Sequence, residues 1–219
     1  MPEAVLFDLD GTLADTAPDL GGAMNQLLHE QGREPMSLEM LRPYVSSGAR
    51  GMIAASMGIT PADATYTDLQ QRFLAIYQDA LCVGTCLFAG MAEHLEDLDA
   101  KGIPWGIVTN KSQRFAVPLM EGLALRQRSV CIVCGDSAQR AKPHVHPMQL
   151  ASAVIGIAAS ACIYVGDDER DIISGRAAGM KTVVAGWGYL GDGKPPADWG
   201  ADGIAAEPKD ILGFATANR

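Results

Sequence analysis

The chain has 219 residues, 48% of them apolar, enough for one core of ordinary size or a core with an insert and too many for a disordered chain. Its 17 basic against 26 acidic residues leave a net charge of −9, which argues against nucleic-acid and anionic-membrane partners. The longest mostly apolar run, Ile155 to Gly166, falls well short of the ~20 residues that span a bilayer, and Met1-Pro2-Glu3 shows no basic stretch ahead of an apolar one.

In chain order, Ala4-Val5-Leu6-Phe7 is a short continuous apolar run, the pattern of a strand buried on both faces. It runs straight into Asp8-Leu9-Asp10-Gly11-Thr12. From about Ala17 to Cys86 no strand pattern is visible. Ala23, Leu27 and Leu28, then Leu69, Phe73 and Tyr77, recur at helical spacing, so this stretch reads as a helical insert. Gly90 to Lys101 reads as a helix, with Met91, Leu95 and Leu98 on one face and Lys101-Gly102 as its stop. Four more strand-like runs follow. Trp105 to Val108 ends at Thr109-Asn110, and Val130 to Cys134 ends at Gly135-Asp136. Ala161 to Val165 ends at Gly166-Asp167-Asp168, and Thr182 to Ala185 ends at Gly186. Pro147 to Ile155 and Arg170 to Ala178 are helical between them. The tail from Gly191 reads as loop, closed by a short helix near Pro208 to Ala215. Strands alternating with helices predict an α/β fold, a doubly wound parallel sheet. Residues 1–16 and 87–219 would form the core, and 17–86 the inserted helical domain.

Ligands of such sheets sit beyond the carboxyl ends of the strands. The polar residues there are Asp8, Asp10, Thr109, Asn110, Asp167 and Asp168, with Lys142 in the loop after the third run. Strand periodicity lets Asp8 and Asp10 share a pocket while Leu9 points into the core. Gly11-Thr12 offers a turn whose backbone N–H groups suit an anion. Crowded carboxylates repel one another unless a cation compensates, and hard oxygen donors without a His/Cys cluster favour Mg²⁺.

Asp8 through Thr16 (DLDGTLADT) resembles the first signature of the haloacid dehalogenase superfamily. Val108-Thr109-Asn110-Lys111 resembles its second, Lys142-Pro143 its third, and Gly166-Asp167-Asp168-Glu169-Arg170-Asp171 its fourth. All four stand in the family's order, and the insert lies where one class of these enzymes carries a cap. The resemblance implies a phosphatase. Asp8 would be the nucleophile and Asp10 the general acid and base, while Thr109 and Asn110 bind the phosphoryl oxygens and Lys142 balances charge. Asp8, the Asp10 backbone carbonyl and Asp167 would hold Mg²⁺, with Asp168 and Asp171 as further or alternative ligands. Within the superfamily the chain is similar to phosphoglycolate phosphatase-like enzymes. Leu87 to Met91, Trp105 to Lys111, Arg114 to Ala116, Val165 to Gly179 and Trp199 to Asp202 look like the group that dephosphorylates N-acetylmuramic acid 6-phosphate. The third motif departs from the family's Lys-Pro-Asp-Pro, reading Lys142-Pro143-His144-Val145-His146-Pro147. A phosphosugar mutase of the same superfamily, and a phospho-aspartate switch without turnover, remain alternatives.

Other residues carry weaker signals. Arg50, within Ser46 to Arg50 of the insert, is a candidate fork for a substrate carboxylate. Asp168 and Asp171 also suit a helix N-terminus. His144 and His146 read as loop histidines and the ten methionines as core filler. Cys131 and Cys134 form a C-x₂-C without a second pair, so they read as core cysteines. The odd total of five cysteines reads as reduced thiols of a cytoplasmic protein. The expected partner is a small phosphorylated metabolite, with no nucleic acid or membrane, and the chain is a monomer or homodimer.

Overall fold

A computed structural model describes residues 1–215, and the last four residues assigned to the core, 216–219, lie outside it. The elements in chain order are β1 (Ala4–Phe7), β2 (Ala14–Asp15), α1 (Ala17–Glu30), α2 (Leu38–Leu41), α3 (Gly48–Met57), α4 (Tyr66–Asp79) and β3 (Cys86–Leu87). They continue with α5 (Met91–Ala100), β4 (Trp105–Val108), α6 (Gln113–Gly122), β5 (Ile132–Val133) and α7 (His146–Ile155). The last are β6 (Cys162–Gly166), α8 (Glu169–Ala177), β7 (Lys181–Ala185) and β8 (Gly203–Ala205). Short 3₁₀ turns occupy Arg42–Ser47 and Pro208–Ala215.

Six strands form one sheet in the order β5-β4-β1-β6-β7-β8, every neighbouring pair parallel. From β1 the chain builds outward through β4 and β5, then returns to the other side for β6, β7 and β8. β1 is therefore the switch point, where a doubly wound sheet opens its crevice. The register is tight: Phe7 lies opposite both Ile107 and Val165, so the residues just beyond β1, β4 and β6 emerge side by side. Burial of Val5, Phe7, Trp105, Ile107, Ile163 and Val165 on one face, and of Ala4, Leu6, Val108 and Tyr164 on the other, explains why these runs are apolar throughout.

Two expectations are corrected. The run from Val130 to Cys134 yields only the two-residue edge strand β5, because an edge position has a single partner strand. The tail contains β8, hidden among Gly, Pro and Asp. It forms because Asp202 accepts from the Thr182 backbone N–H at 2.8 Å and draws the next residues alongside β7. The sequence pattern assigns no element to Gln113–Gly122, which forms α6 after the loop that follows β4.

The insert's helices pack on one another through Leu20, Met24, Leu27, Leu41, Ile53, Phe73, Ile76 and Tyr77, with Phe115 and Tyr189 from the core side. Both linkers to the sheet are tied together. β2 and β3 pair antiparallel, Asp15 opposite Cys86, a short ladder that the sequence pattern does not show. The buried Asp19 carboxylate accepts from the backbone N–H groups of Val83, Gly84 and Thr85. Arg42 forks onto Asp15 with two 2.9 Å bonds. All five cysteines are free thiols, and burial pushes those of Cys131, Cys134 and Cys162 up to about 11.

Candidate active site

Asp8 follows β1, Thr109 follows β4 and Asp167 follows β6, so parallel pairing brings them together. α8 then returns Asp171. Asp168 is its N-cap and Asp171 stands three residues on, and the two close a capping box in which Asp171 Oδ2 accepts from the Asp168 N–H at 3.1 Å. That box folds Asp171 back over the strand end. A Cβ on Gly166 would lie 2.3 Å from the Asp171 Cγ, so only glycine leaves room for it. Gly11 is equally constrained: its φ is +82° and a Cβ would lie 2.2 Å from Asp167 Oδ2.

Oxygens of Asp8, Asp167 and Asp171 lie within 4.8 Å of one another, all buried. Lys142 is the cation among them, its Nζ 2.9 Å from Asp8 Oδ1 and 2.6 Å from Asp171 Oδ1. The altered loop after Lys142 thus leaves its ammonium beside Asp8. An ammonium has three hydrogens. Here they go to Val108 O, Tyr164 Oη and Asp171 Oδ1. Asp8 Oδ1 keeps the charge contact but no hydrogen bond. One lysine against three buried carboxylates leaves a surplus of negative charge. Burial, with the charges of Asp8 and Asp171, pushes the Asp167 carboxyl well above its usual range. Burial likewise raises Asp171 to about 6, against the pull of Lys142. For Lys142, burial would lower the ammonium, but Asp171 and Asp8 outweigh it and raise it. Three hard oxygen donors with excess negative charge fit a divalent cation such as Mg²⁺.

Asp10 stands apart from this cluster. Its Oδ1 accepts from Lys111 Nζ at 2.8 Å and Thr16 Oγ1 at 2.6 Å, and its Oδ2 takes no hydrogen bond among the described residues. The side chain lines the cavity outside the acid group, and a metal contact from Asp10 would come through its backbone carbonyl. Lys111 also lies 4.7 Å from the Tyr77 ring centroid, joining the second motif to α4. Thr109 is buried in the cavity lining. Asn110 lines it too, but its amide is spent on Lys142, donating to the Lys142 O at 3.0 Å and accepting from its N–H at 2.9 Å.

Other expected residues lie elsewhere. Thr12 is buried and donates to Asp167 Oδ1 at 2.9 Å, and neither it nor Gly11 lines the cavity. Their turn supports an acid rather than meeting an anion. Asp168 is engaged by Arg170, whose Nε lies 2.7 Å from its Oδ1, and is not one of the three gathered acids. Arg50 is exposed on α3, outside the lining. The His144 and His146 rings sit 4.0 Å apart, and among the described residues no third ligand joins them. Sequence reasoning gave no role to Lys111, Ser46 or Arg170. Ser46 Oγ donates to Asp167 Oδ2 at 3.1 Å and Arg170 Nη2 donates to the Ser46 O at 2.8 Å, so the insert is latched onto the acid cluster. Lys111, adjacent to Asn110 in the second motif, was visible in the sequence. The Ser46 latch spans 121 residues and carried no local signal.

Between sheet and insert lies a cavity of about 300 Å³. Asp8, Asp10, Thr109, Lys142 and Asp171 form one wall, and Leu20, Val45, Gln70, Phe73, Leu74 and Tyr77 the other. Among the described residues no helix is long and apolar enough to cross a membrane.

A family model described as haloacid dehalogenase-like hydrolase matches residues 5–185. An N-acetylmuramic acid 6-phosphate phosphatase of Pseudomonas aeruginosa is 41% identical over 210 residues, covering 96% of this chain and 93% of its own. A phosphoglycolate phosphatase of Xanthomonas campestris pv. campestris is 44% identical over 211 residues, covering 96% and 95%. The crystal structure of a predicted phosphoglycolate phosphatase from Haemophilus somnus superposes with a TM-score of 0.85 at 25% identity, covering 98% of each chain.

Proposed function

Because the chain belongs to the haloacid dehalogenase-like hydrolases and has phosphatases among its relatives, we propose that it is a Mg²⁺-dependent phosphatase of a small phosphomonoester. The substrate is 2-phosphoglycolate or N-acetylmuramic acid 6-phosphate, and the reaction passes through phosphorylated Asp8. The carrying observation is Asp8 Oδ1, a buried carboxylate oxygen in the cavity lining with a cation beside it and no hydrogen bond to give up.

Asp8 attacks phosphorus while Asp10 Oδ2, the oxygen left without a partner, gives a proton to the leaving oxygen. Asp10 then takes a proton from the water that hydrolyses the aspartyl-phosphate. Lys111 and Thr16 hold Asp10 in place, and Lys142 offsets charge at Asp8. Asp8, Asp167 and Asp171 would hold the metal, which when bound draws charge from the phosphoryl oxygens. The insert acts as a cap that excludes water, with Ser46 and the Lys111–Tyr77 contact as its points of closure. The chain acts in the cytoplasm, apart from nucleic acid and membranes, as a monomer or homodimer.

The test is phosphate release from both compounds and from β-glucose 1-phosphate, with and without Mg²⁺. Asp8→Asn is expected to abolish Mg²⁺-dependent release, a loss of at least about 10³-fold, with the circular-dichroism spectrum unchanged. Transfer of phosphate within the sugar would overturn the reading in favour of a mutase. Stable phospho-Asp8 without release would overturn it in favour of a switch.

A further inference from the structure

Four cationic side chains line the cavity: Lys111, Arg114, Lys142 and Arg170. Three are matched by acids of the same lining. Lys142 pairs with Asp8 and Asp171, Lys111 with Asp10, and Arg170 with Asp168. Arg114 has no acidic partner among the described residues. Its guanidinium carbon sits 4.5 Å from the centroid of the Phe115 ring, and the side chain is exposed at the rim. An aromatic face orients a guanidinium but leaves its in-plane N–H fork open. The residues that the insert adds to the lining include no acid. The cavity therefore has one cationic fork that the chain leaves unmatched, on α6 immediately after the phosphoryl-facing loop.

Resting on the phosphatase reading above, we propose that Arg114 is a specificity residue that pairs with a carboxylate on the organic part of the substrate. The site then selects phosphomonoesters that carry a carboxylate. Both candidate substrates carry one: the acid of glycolate itself, and the lactyl ether acid of the muramic sugar. The planar fork matches a carboxylate in bidentate fashion, which a lysine does not reproduce. Arg50, the sequence's candidate for this task, lies outside the lining, whereas Arg114 is in it.

The experiment compares pairs in which only one member carries the acid. N-acetylmuramic acid 6-phosphate is set against N-acetylglucosamine 6-phosphate, and 2-phosphoglycolate against 2-hydroxyethyl phosphate. The wild-type protein is expected to prefer one carboxylate member. Arg114→Gln is expected to raise KM for that member by about ten- to a hundred-fold, to leave kcat nearly unchanged, and to leave the acid-free partner untouched. Arg114→Lys should fall between. An equal loss on both members of a pair would make Arg114 merely structural, and no loss on either would remove it from the site; both overturn the proposal. Calorimetric binding of the same pairs to Mg²⁺-loaded Asp8→Asn, with and without Arg114→Gln, reads the preference without turnover. Absence of hydrolysis would thus overturn the phosphatase reading, while the binding ratio still decides the role of Arg114.

Discussion

The two walls of the cavity are built on opposite principles. On the strand-end wall the polar groups are held by named partners: Lys142 by three acceptors, Asp171 by its capping box, and Asp10 by a lysine and a threonine. The insert wall is mainly apolar, with Leu20, Val45, Phe73, Leu74 and Tyr77 beside Gln70 and the hydroxyls of Ser46 and Ser47. A wall of fixed charges tolerates almost no change, because each side chain is another's partner. A wall of packed apolar groups can be reshaped one methylene at a time. On the proposed reading the fixed wall carries the chemistry, and the insert wall, together with Arg114 on α6, contacts the rest of the substrate, so substitutions among the fixed charges and among the apolar groups should separate the same way.

The hardest test of that division is Lys142→Met. Methionine fills the space but strands three buried carboxylates without a cation. Breaking a buried ion pair costs about 3–5 kcal/mol, read by urea unfolding, and phosphate release should fall with it. Adding Asp171→Asn removes one of the stranded charges and should return part of the stability but none of the activity. If Lys142→Met were as stable as the wild-type chain, the strand-end wall would not be the tightly coupled unit described.

A gentler test of the same wall uses pH. A carboxyl whose folded pKa is raised binds its proton more tightly when folded. Its contribution to stability is full below the unfolded value and is lost as pH rises through the folded one. For Asp171 that window runs from 3.8 to about 6, and Asp167 moves in the same direction. Mg²⁺ competes with those protons, so its stabilisation should grow across this window. At ten times its dissociation constant it would contribute about 1.4 kcal/mol, and where protons weaken binding tenfold only about 0.4 kcal/mol. Thermal melts at pH 5 and pH 8, with and without MgCl₂, check the sign. A larger shift at pH 5 would mean that the three acids do not form the cation site.

The same contrast explains what the sequence made legible. The strand-end wall is written in short motifs whose spacing follows from strand geometry, so Asp8, Asp167, Thr109 and Lys142 could be found by their positions after apolar runs. Asp171 was visible as a helix N-terminal acid, but its place among the buried acids depends on Gly166 and the capping box acting together. The fold was legible where strands are central and continuously apolar. It was hidden where pairing is tertiary, as in β8, whose residues align because Asp202 anchors them to β7. Arg50 was the arginine the sequence offered for a substrate carboxylate and Arg114 was given no role, because only the position of α6 against the insert shows which one lines the cavity.

The insert wall was the least legible part, since an apolar residue at helical spacing looks the same whether it faces a core or a ligand. Phe73 is both: it is fully buried within the insert's cluster and also lines the cavity. Phe73→Leu keeps the side chain apolar and removes a few carbons. Its cost in stability should stay below about 1.5 kcal/mol. Each carbon withdrawn from the substrate is worth about 0.8 kcal/mol, so KM should rise a few-fold. The turnover number should hold, because no strand-end acid or lysine rests its hydrogen bonds on Phe73. Steady-state kinetics on the preferred substrate, beside a urea titration, would show this split. A fall in kcat matching the rise in KM, with stability preserved, would mean that the apolar wall also sets the geometry of phosphoryl transfer. The division between the two walls would then fail at the residue that belongs to both structure and cavity.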